Sequence, residues 1–137
     1  MQTDEVKMHA FRLKPGQDLK KEIAAYVQLH KIEAGWVVTC VGSVTQYNLR
    51  FANMPDGKKA NGHFEIVSLV GTVSINGSHV HMSLSDSTGH TIGGHLLEEN
   101  IVYTTAEIVI GEGKQLLFTR EKDGTTEWEE LQVKPKQ

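Results

Sequence analysis

Alternating apolar and polar residues run through most of this chain, interrupted by one helical stretch. Residues 6–13 alternate like a strand and end at Pro15-Gly16, since proline cannot continue a hydrogen-bonded ladder and glycine permits a turn. Over about 19–31, apolar residues recur at helical spacing behind Asp18, a residue type that caps helix N-termini. The pattern therefore predicts a strand and then a helix whose apolar stripe docks on a sheet.

Further stretches with alternating or unbroken apolar residues predict strands at 36–44, 46–51, 64–73, 79–85, 101–110, 115–120 and 127–133. Residues 46–51 are expected to pair with 36–44, and the turn-rich residues 53–63 are expected to form a loop. The tight turn at 75–78 predicts a hairpin between the strands that flank it. Seven or eight strands and one principal flanking helix predict a single α+β domain with a mainly antiparallel sheet.

Histidines concentrate between residues 77 and 97, which hold four of the seven in the chain. His79 and His81 alternate with apolar residues along a predicted strand, so both imidazoles should lie on its polar face. A polar turn follows, and two consecutive glycines are expected to bend the chain just before His95. The pattern predicts that three imidazoles can surround one metal ion.

Three neutral imidazoles suit a divalent transition metal, with zinc favoured and nickel, copper or iron also compatible. Three protein ligands and an open position form the usual arrangement of catalytic zinc. His90, in the turn, is the alternative to His95 as third ligand, and Glu107 or a neighbouring subunit could supply a fourth. The competing interpretation is that the histidines line a polar crevice and form hydrogen bonds with Ser83, Ser85 or water.

Other chemically active side chains are sparse. Glu65 and Glu107 are the candidates for an acid or base, although a glutamate placed like Glu65 is more often a paired, partly exposed strand residue. Cys40 lies in an apolar run without a basic neighbour, so we interpret it as a buried filler and not a nucleophile. No phosphate-binding loop or nucleophile elbow is present in the sequence.

Charge argues against stand-alone nucleic-acid binding. The chain of 137 residues has 14 basic and 17 acidic residues and a net charge of −3. Only Arg12, Arg50 and Arg120 are arginines, and no basic tail is present. Because affinity for nucleic acid comes mainly from clustered lysine and arginine on phosphates, DNA is a doubtful partner.

The single cysteine excludes an intramolecular disulfide and fits a reducing compartment. The N-terminal residues lack the apolar core of a secretory signal, and no apolar run approaches the roughly 20 residues of a membrane span. We therefore expect a soluble cytoplasmic protein with no membrane partner.

Four motifs occur in a recognisable order. They are R-L-K-P-G-x-D-L at 12–19, G-H-F-E-I-V-S-L-x-G at 62–71, H-x-H-x-S-L-S-D at 79–86 and I-G-G-H-L at 92–96. With them the chain resembles the PPC domain (plants and prokaryotes conserved), which stands alone in bacteria and archaea and is fused to AT-hooks in plants. The resemblance covers about 7–133 and treats 1–137 as one domain. It implies a seven- to eight-stranded sheet, a flanking helix and a homotrimer.

The resemblance also carries functional expectations. Plant members contact DNA through AT-hooks with an Arg-Gly-Arg-Pro core, which this sequence lacks. Their PPC part binds protein partners through a segment that corresponds here to Gly62, His63, Phe64, Glu65, Ile66 and Val67, with His63 in place of an arginine. His95 follows the paired glycines as in prokaryotic members, in which a metal is expected. The set of ligands implied is His79, His81 and His95.

Two functions follow as expectations. The first is a homotrimeric DNA-binding, regulatory or interaction module with a three-histidine metal site, for which the missing AT-hook makes direct DNA contact doubtful. The alternative is a metal-dependent enzyme, a lyase or hydrolase acting on a small carbonyl compound. The alternative is based on a distant similarity to acetolactate decarboxylase, which holds its metal with a His-x-His pair and a downstream histidine.

Overall fold

The computed structural model describes residues 2 and 5–137 of the chain. Within them the elements run β1 (Val6–Leu13), α1 (Leu19–Leu29), β2 (Gly35–Arg50), β3 (Lys58–Val73), β4 (His79–Ser85), β5 (Thr91–Leu96), β6 (Ile101–Gly113), β7 (Leu116–Glu121) and β8 (Glu130–Pro135). In this described part of the chain, no helix is both long enough and apolar enough to cross a membrane.

The strands form two antiparallel sheets. The larger has six strands in the order β1-β6-β2-β3-β4-β5, and β7 and β8 form a separate two-stranded sheet. The predicted α+β class with a mainly antiparallel sheet is therefore confirmed, although the strands are divided between two sheets. The predicted hairpin between β3 and β4 is also present, with Leu69 opposite Met82.

The larger sheet closes on itself at one end. The last residues of β2 pair with the last residues of β5, with Leu49 opposite Leu96 and Arg50 opposite His95. Leu49 and Leu96 are buried, so the closure seals one end of the core. Strands β2, β3, β4 and β5 thus surround part of the core as a small ring.

Two predictions for this region were wrong. Residues 36–44 and 46–51 do not pair with each other, because they belong to the single strand β2, whose pairing shifts register between Val44 and Gln46. An irregularity of this kind bends a strand and breaks its alternation, which resembles a turn in sequence. The expected loop at 53–63 ends earlier, since residues from Lys58 onward pair with β2 through backbone hydrogen bonds that need no apolar pattern.

The helix starts where the sequence predicted. Asp18 is the N-cap, and its Oδ1 accepts a hydrogen bond of 3.1 Å from the backbone N–H of Lys21. Its Oδ2 accepts a second hydrogen bond, 2.8 Å long, from the backbone N–H of Glu99, which ties the helix start to the β5–β6 loop. The helix buries Leu19, Ile23 and Val27 in the core, as the apolar spacing indicated.

One face of the large sheet remains open to solvent. On β2 and the adjacent β3, some apolar side chains are exposed. They alternate with buried side chains and point away from the core. Val41 is 59% exposed, Val67 57% and Val70 55%, and Met8 on β1 is 54% exposed. A patch of exposed apolar side chains on neighbouring strands is typical of a surface that binds protein.

Cys40 is expected to resist alkylation in the folded protein. Its side chain is buried in the core, and burial, followed by the charge of Glu107, raises the pKa of its thiol to about 12. Since the thiolate is the nucleophile, iodoacetamide at pH 8.5 should leave Cys40 unmodified in the native protein and modify it in guanidinium chloride. Intact-mass spectrometry reads both states, and equal rates in the two would contradict the buried assignment.

Candidate metal centre

The first two histidines are neighbours on one face of β4. Successive strand residues point to opposite sides, so Val80 and Met82 are buried while His79 and His81 face outward. The Nε2 atoms of His79 and His81 lie 3.1 Å apart. The predicted same-face pair is therefore present.

His95 joins this pair through strand pairing. In the β4–β5 ladder, His95 lies directly opposite His81. One nitrogen of each ring lies within 4.8 Å of the corresponding nitrogens of the other two, which makes His79, His81 and His95 one cluster. We call these three residues the histidine cluster.

The paired glycines Gly93 and Gly94 do not form the expected bend. Both lie within β5, between its two neighbouring strands. A Cβ atom on Gly94 would approach the backbone oxygen of Arg50 to 2.7 Å, and one on Gly93 would lie 3.1 Å from the backbone oxygen of Met82. The glycines therefore let β5 fit closely between β2 and β4, and this close fit brings His95 to the cluster.

The cluster fits the donor set of a transition metal. Zinc–imidazole bonds of about 2.0–2.1 Å in a tetrahedral arrangement place two ligand nitrogens roughly 3.3 Å apart. The 3.1 Å between the Nε2 atoms of His79 and His81 is close to that spacing. Because three nitrogens converge without a carboxylate among them, the donor chemistry suits zinc, nickel, copper or iron better than calcium or magnesium.

Burial and nearby positive charges favour the neutral form of two rings in the cluster. Burial lowers the pKa of His95 to about 4, and the guanidinium group of Arg50 is the second cause. Burial also lowers the pKa of His79, followed by the charge of His81 and then that of Arg120. A metal binds the neutral imidazole, so the lowered pKa values of His95 and His79 favour the form that binds a metal.

The other candidate ligands lie elsewhere. His90 is in the turn at the far end of the β4–β5 hairpin, where its backbone N–H and C=O bond to Asp86. Glu107 lies on β6, opposite Arg12 on β1 and Val41 on β2, so two strands separate it from β4. Neither belongs to the cluster of mutually close ligand atoms.

Glu65 is also remote from the histidines. It pairs with Ser85 at one end of the β3–β4 ladder, whereas His81 pairs with Val70 farther along β3. At about 3.3 Å per strand residue, Glu65 and Val70 are roughly 16 Å apart along β3. Glu65 instead lines a separate cleft of about 350 Å³ together with His63 and Tyr103, whose rings stack with centroids 4.5 Å apart.

The segment 62–67 borders this second cleft. His63, Glu65 and Val67 are exposed, while Ile66 points into the core. The candidate partner-binding segment is therefore accessible on the outside of β3, away from the histidine cluster.

Sequence reasoning missed four charged residues beside the cluster. A cleft of about 420 Å³, which we call the histidine cleft, is lined by His79 and His95, the exposed Trp128 and the charged residues Arg50, Arg120, Glu129 and Glu130, among others. The β2–β5 closure positions Arg50, whereas the other three lie in the β7–β8 sheet or directly before β8. No local motif marks them, because their positions depend on contacts between distant parts of the chain.

Comparison with known proteins identifies the family. A sequence profile described as the Plants and Prokaryotes Conserved (PCC) domain matches residues 2–114, well over half of the chain. The chain belongs to this family. The resemblance to the PPC domain inferred from the four motifs is confirmed, and the PCC profile spans the whole histidine cluster.

Several solved structures share the fold of this chain at different degrees of sequence identity. A hypothetical protein from Salmonella enterica is 35% identical, with a TM-score of 0.96 over 97% of this chain and 96% of that one. A metal-containing protein from Archaeoglobus fulgidus is 24% identical, with a TM-score of 0.77 over 94% and 95%. A protein from Bacteroides thetaiotaomicron, described as a proposed DNA-binding protein, is 22% identical, with a TM-score of 0.73 over 88% and 90%.

Curated relatives place a similar segment inside a longer protein. The bifunctional protein GlmU of one Synechococcus strain is 37% identical over 95% of this chain, which is 21% of the length of GlmU. The GlmU of a second strain is 36% identical over 96% of this chain. The chain thus spans about a fifth of the curated relatives that it matches.

Proposed function

We propose that this PCC-domain protein is a homotrimeric binding or regulatory module of the cytoplasm. It holds one divalent transition metal ion per chain, preferably zinc, and its ligands are His79, His81 and His95. The observation that carries the proposal is the convergence of three imidazole nitrogens within 4.8 Å of one another at the edge of an open cleft. The metal-containing relative from Archaeoglobus fulgidus has the same fold, which supports the proposal.

Metal content tests this proposal. Untagged protein should carry about one zinc or other transition-metal ion per chain when inductively coupled plasma mass spectrometry is combined with a protein assay. His79→Ala and His95→Ala should each carry almost none. Wild-type protein that remains metal-free after incubation with zinc and desalting would contradict the proposal.

An open coordination position gives such a module a ligand-binding role. Three protein ligands leave a tetrahedral ion one position short, and a bound ion supplies Lewis-acid chemistry at that position. The histidine cleft beside the cluster has room for a small molecule and offers Arg50, Arg120 and Glu130 for recognition. A small-molecule ligand bound at the metal is the form of regulation that this arrangement favours.

A metal-dependent enzyme, a lyase or hydrolase on a small carbonyl compound, is the second candidate. Glu130 favours it, because it lines both the histidine cleft and an adjoining cleft with His79 and His81. Its Oε2 accepts a hydrogen bond of 2.7 Å from the Thr126 hydroxyl, which holds the carboxylate in one orientation. A carboxylate at this place can accept or return a proton on a ligand in the cleft.

The homotrimer accounts for the exposed apolar face. Burial of Val41, Val67 and Val70 between subunits would remove from water an apolar surface that a monomer leaves open. Val41→Lys should therefore convert the trimer to monomers in size-exclusion chromatography with light scattering. Leu29→Lys is the matched control, because Leu29 is 77% exposed on α1, away from this face, and its variant should stay trimeric. A wild-type monomer would contradict the assembly.

A protein partner fits this chain better than DNA does. Arg12 donates from Nε to the Thr105 hydroxyl, and the other two arginines line the histidine cleft, so no arginine cluster is left for phosphates. The exposed segment 62–67 is the surface that we assign to a protein partner. Direct DNA contact is therefore the weaker part of the DNA-binding or regulatory expectation.

A further inference from the structure

Two arginines in the histidine cleft have no carboxylate partner in the part of the chain that the structure describes. Among the residues that the structure describes, neither Arg50 nor Arg120 takes part in an ion pair. Both are half-buried, which makes an unpaired guanidinium group costly unless an anion completes its surroundings. Their charge is therefore available to a ligand.

The side chain of Arg120 and the backbone of Arg50 are both held in place. Arg120 donates from Nη2 to the Thr72 hydroxyl over 2.9 Å, and a Cβ atom added to Gly77 would lie 3.1 Å from the Cγ of Arg120. Arg50 ends β2 directly opposite His95 in the β2–β5 pairing. The two guanidinium groups thus come from different sheets and line one cleft with His79 and His95.

The charges around the histidine cluster favour the binding of an anion. The two arginines line the cleft together with Glu129 and Glu130, so the formal charges of these four residues sum to zero. A divalent ion held by three neutral imidazoles brings two further positive charges without any compensation from its own ligands.

We propose that the ligand of the histidine cleft is a small carboxylate, bound beside the metal by Arg50 and Arg120. The inference rests on the proposed metal centre and adds the chemical class of its ligand. A guanidinium group matches the two oxygens of a carboxylate with two parallel N–H donors. Phosphate sites commonly use a helix N-terminus, and the cleft is lined instead by residues of strands and strand-connecting loops.

Cobalt-loaded protein tests the ligand class directly. Cobalt(II) replaces zinc in imidazole sites and has a visible spectrum that changes when a ligand binds beside or at the ion. Acetate should change this spectrum in a saturable way, while acetamide, its neutral analogue of similar size, should not. Arg50→Gln and Arg120→Gln should each weaken acetate binding by about tenfold or more, since a charge-assisted hydrogen bond is lost.

Controls separate this inference from the metal proposal. Arg12→Gln removes an exposed arginine outside the cleft and should bind acetate like the wild type. Cobalt bound at one ion per chain with no response to acetate would overturn the carboxylate assignment and leave the metal centre intact. Wild-type acetate affinity in both arginine variants, or tighter binding of inorganic phosphate than of acetate, would overturn it as well. Failure to bind cobalt would contradict both proposals.

Discussion

His81→Ala is expected to weaken zinc binding by at least about a hundredfold. Zinc bound by four protein ligands gains about 10–16 kcal/mol, so one ligand contributes roughly 2.5–4 kcal/mol. His81 neighbours both other members of the cluster: its Nε2 lies 3.1 Å from the Nε2 of His79, and it pairs with His95 across the β4–β5 ladder. Competition with a chromophoric chelator measures the affinity of each variant.

Folding should survive this substitution. The His81 side chain is exposed on the outer side of β4, so alanine leaves no cavity in the core. His90→Ala is the matched control, since His90 is an exposed histidine of the same hairpin outside the cluster. Equal zinc affinities for wild type, His81→Ala and His90→Ala would show that the metal, if bound, has other ligands.

Gly71→Ala is expected to destabilise the fold by about 3 kcal/mol or more and to lower the melting temperature by roughly 10 °C. A Cβ atom at this position would meet the backbone oxygen of His79 at 2.1 Å and the Cα of Val80 at 2.7 Å. Both contacts are with backbone, so relief requires β3 and β4 to separate. Zinc affinity should fall too, because the displaced segment of β4 carries His79.

Gly89→Ala separates steric conflict from backbone strain. Gly89 has a φ of +84°, and nothing lies within 4 Å of the position of an added Cβ. Its substitution should therefore cost only about 1 kcal/mol of left-handed backbone strain. Differential scanning calorimetry measures the melting temperatures of Gly71→Ala and Gly89→Ala. Equal melting temperatures would refute the close approach of β3 and β4 at Gly71.

Much of the fold could be predicted from local patterns in the sequence. The cap at Asp18 and the apolar spacing after it located the helix to within two residues of its observed end, because both features depend only on neighbours in sequence. Period-two alternation likewise located β1, β4 and β6. Long-range pairing was harder, and the continuous β2 was read as two strands because its irregularity near Val44 interrupts the alternation.

The histidine cluster was also predictable from local patterns in the sequence. His79 and His81 share a face through alternation alone, and the hairpin of β4 and β5 returns His95 to them. The arginines were not predictable as site residues. Arg50 reaches the cluster through the closure of β2 on β5, and Arg120 reaches it through packing of the small sheet, neither of which leaves a pattern in sequence.

Glu65 and Glu107 were candidate site residues that the structure places away from the histidine cluster. Each was a reasonable candidate by residue type, yet β3 pairing carries Glu65 to a different cleft and two intervening strands separate Glu107 from β4. Glu130 holds the position beside the cluster that a candidate acid or base requires. Residue type alone could not rank these three carboxylates, because their distances from the histidines are set by the sheet order.

Crystals of zinc-loaded protein test the central claim most directly, through anomalous scattering measured on both sides of the zinc absorption edge. We expect one anomalous peak per chain, about 2.0–2.1 Å from one nitrogen each of His79, His81 and His95, with the fourth position facing the histidine cleft. A peak held by other residues, or no peak at the cluster in crystals grown with excess zinc, would contradict the account.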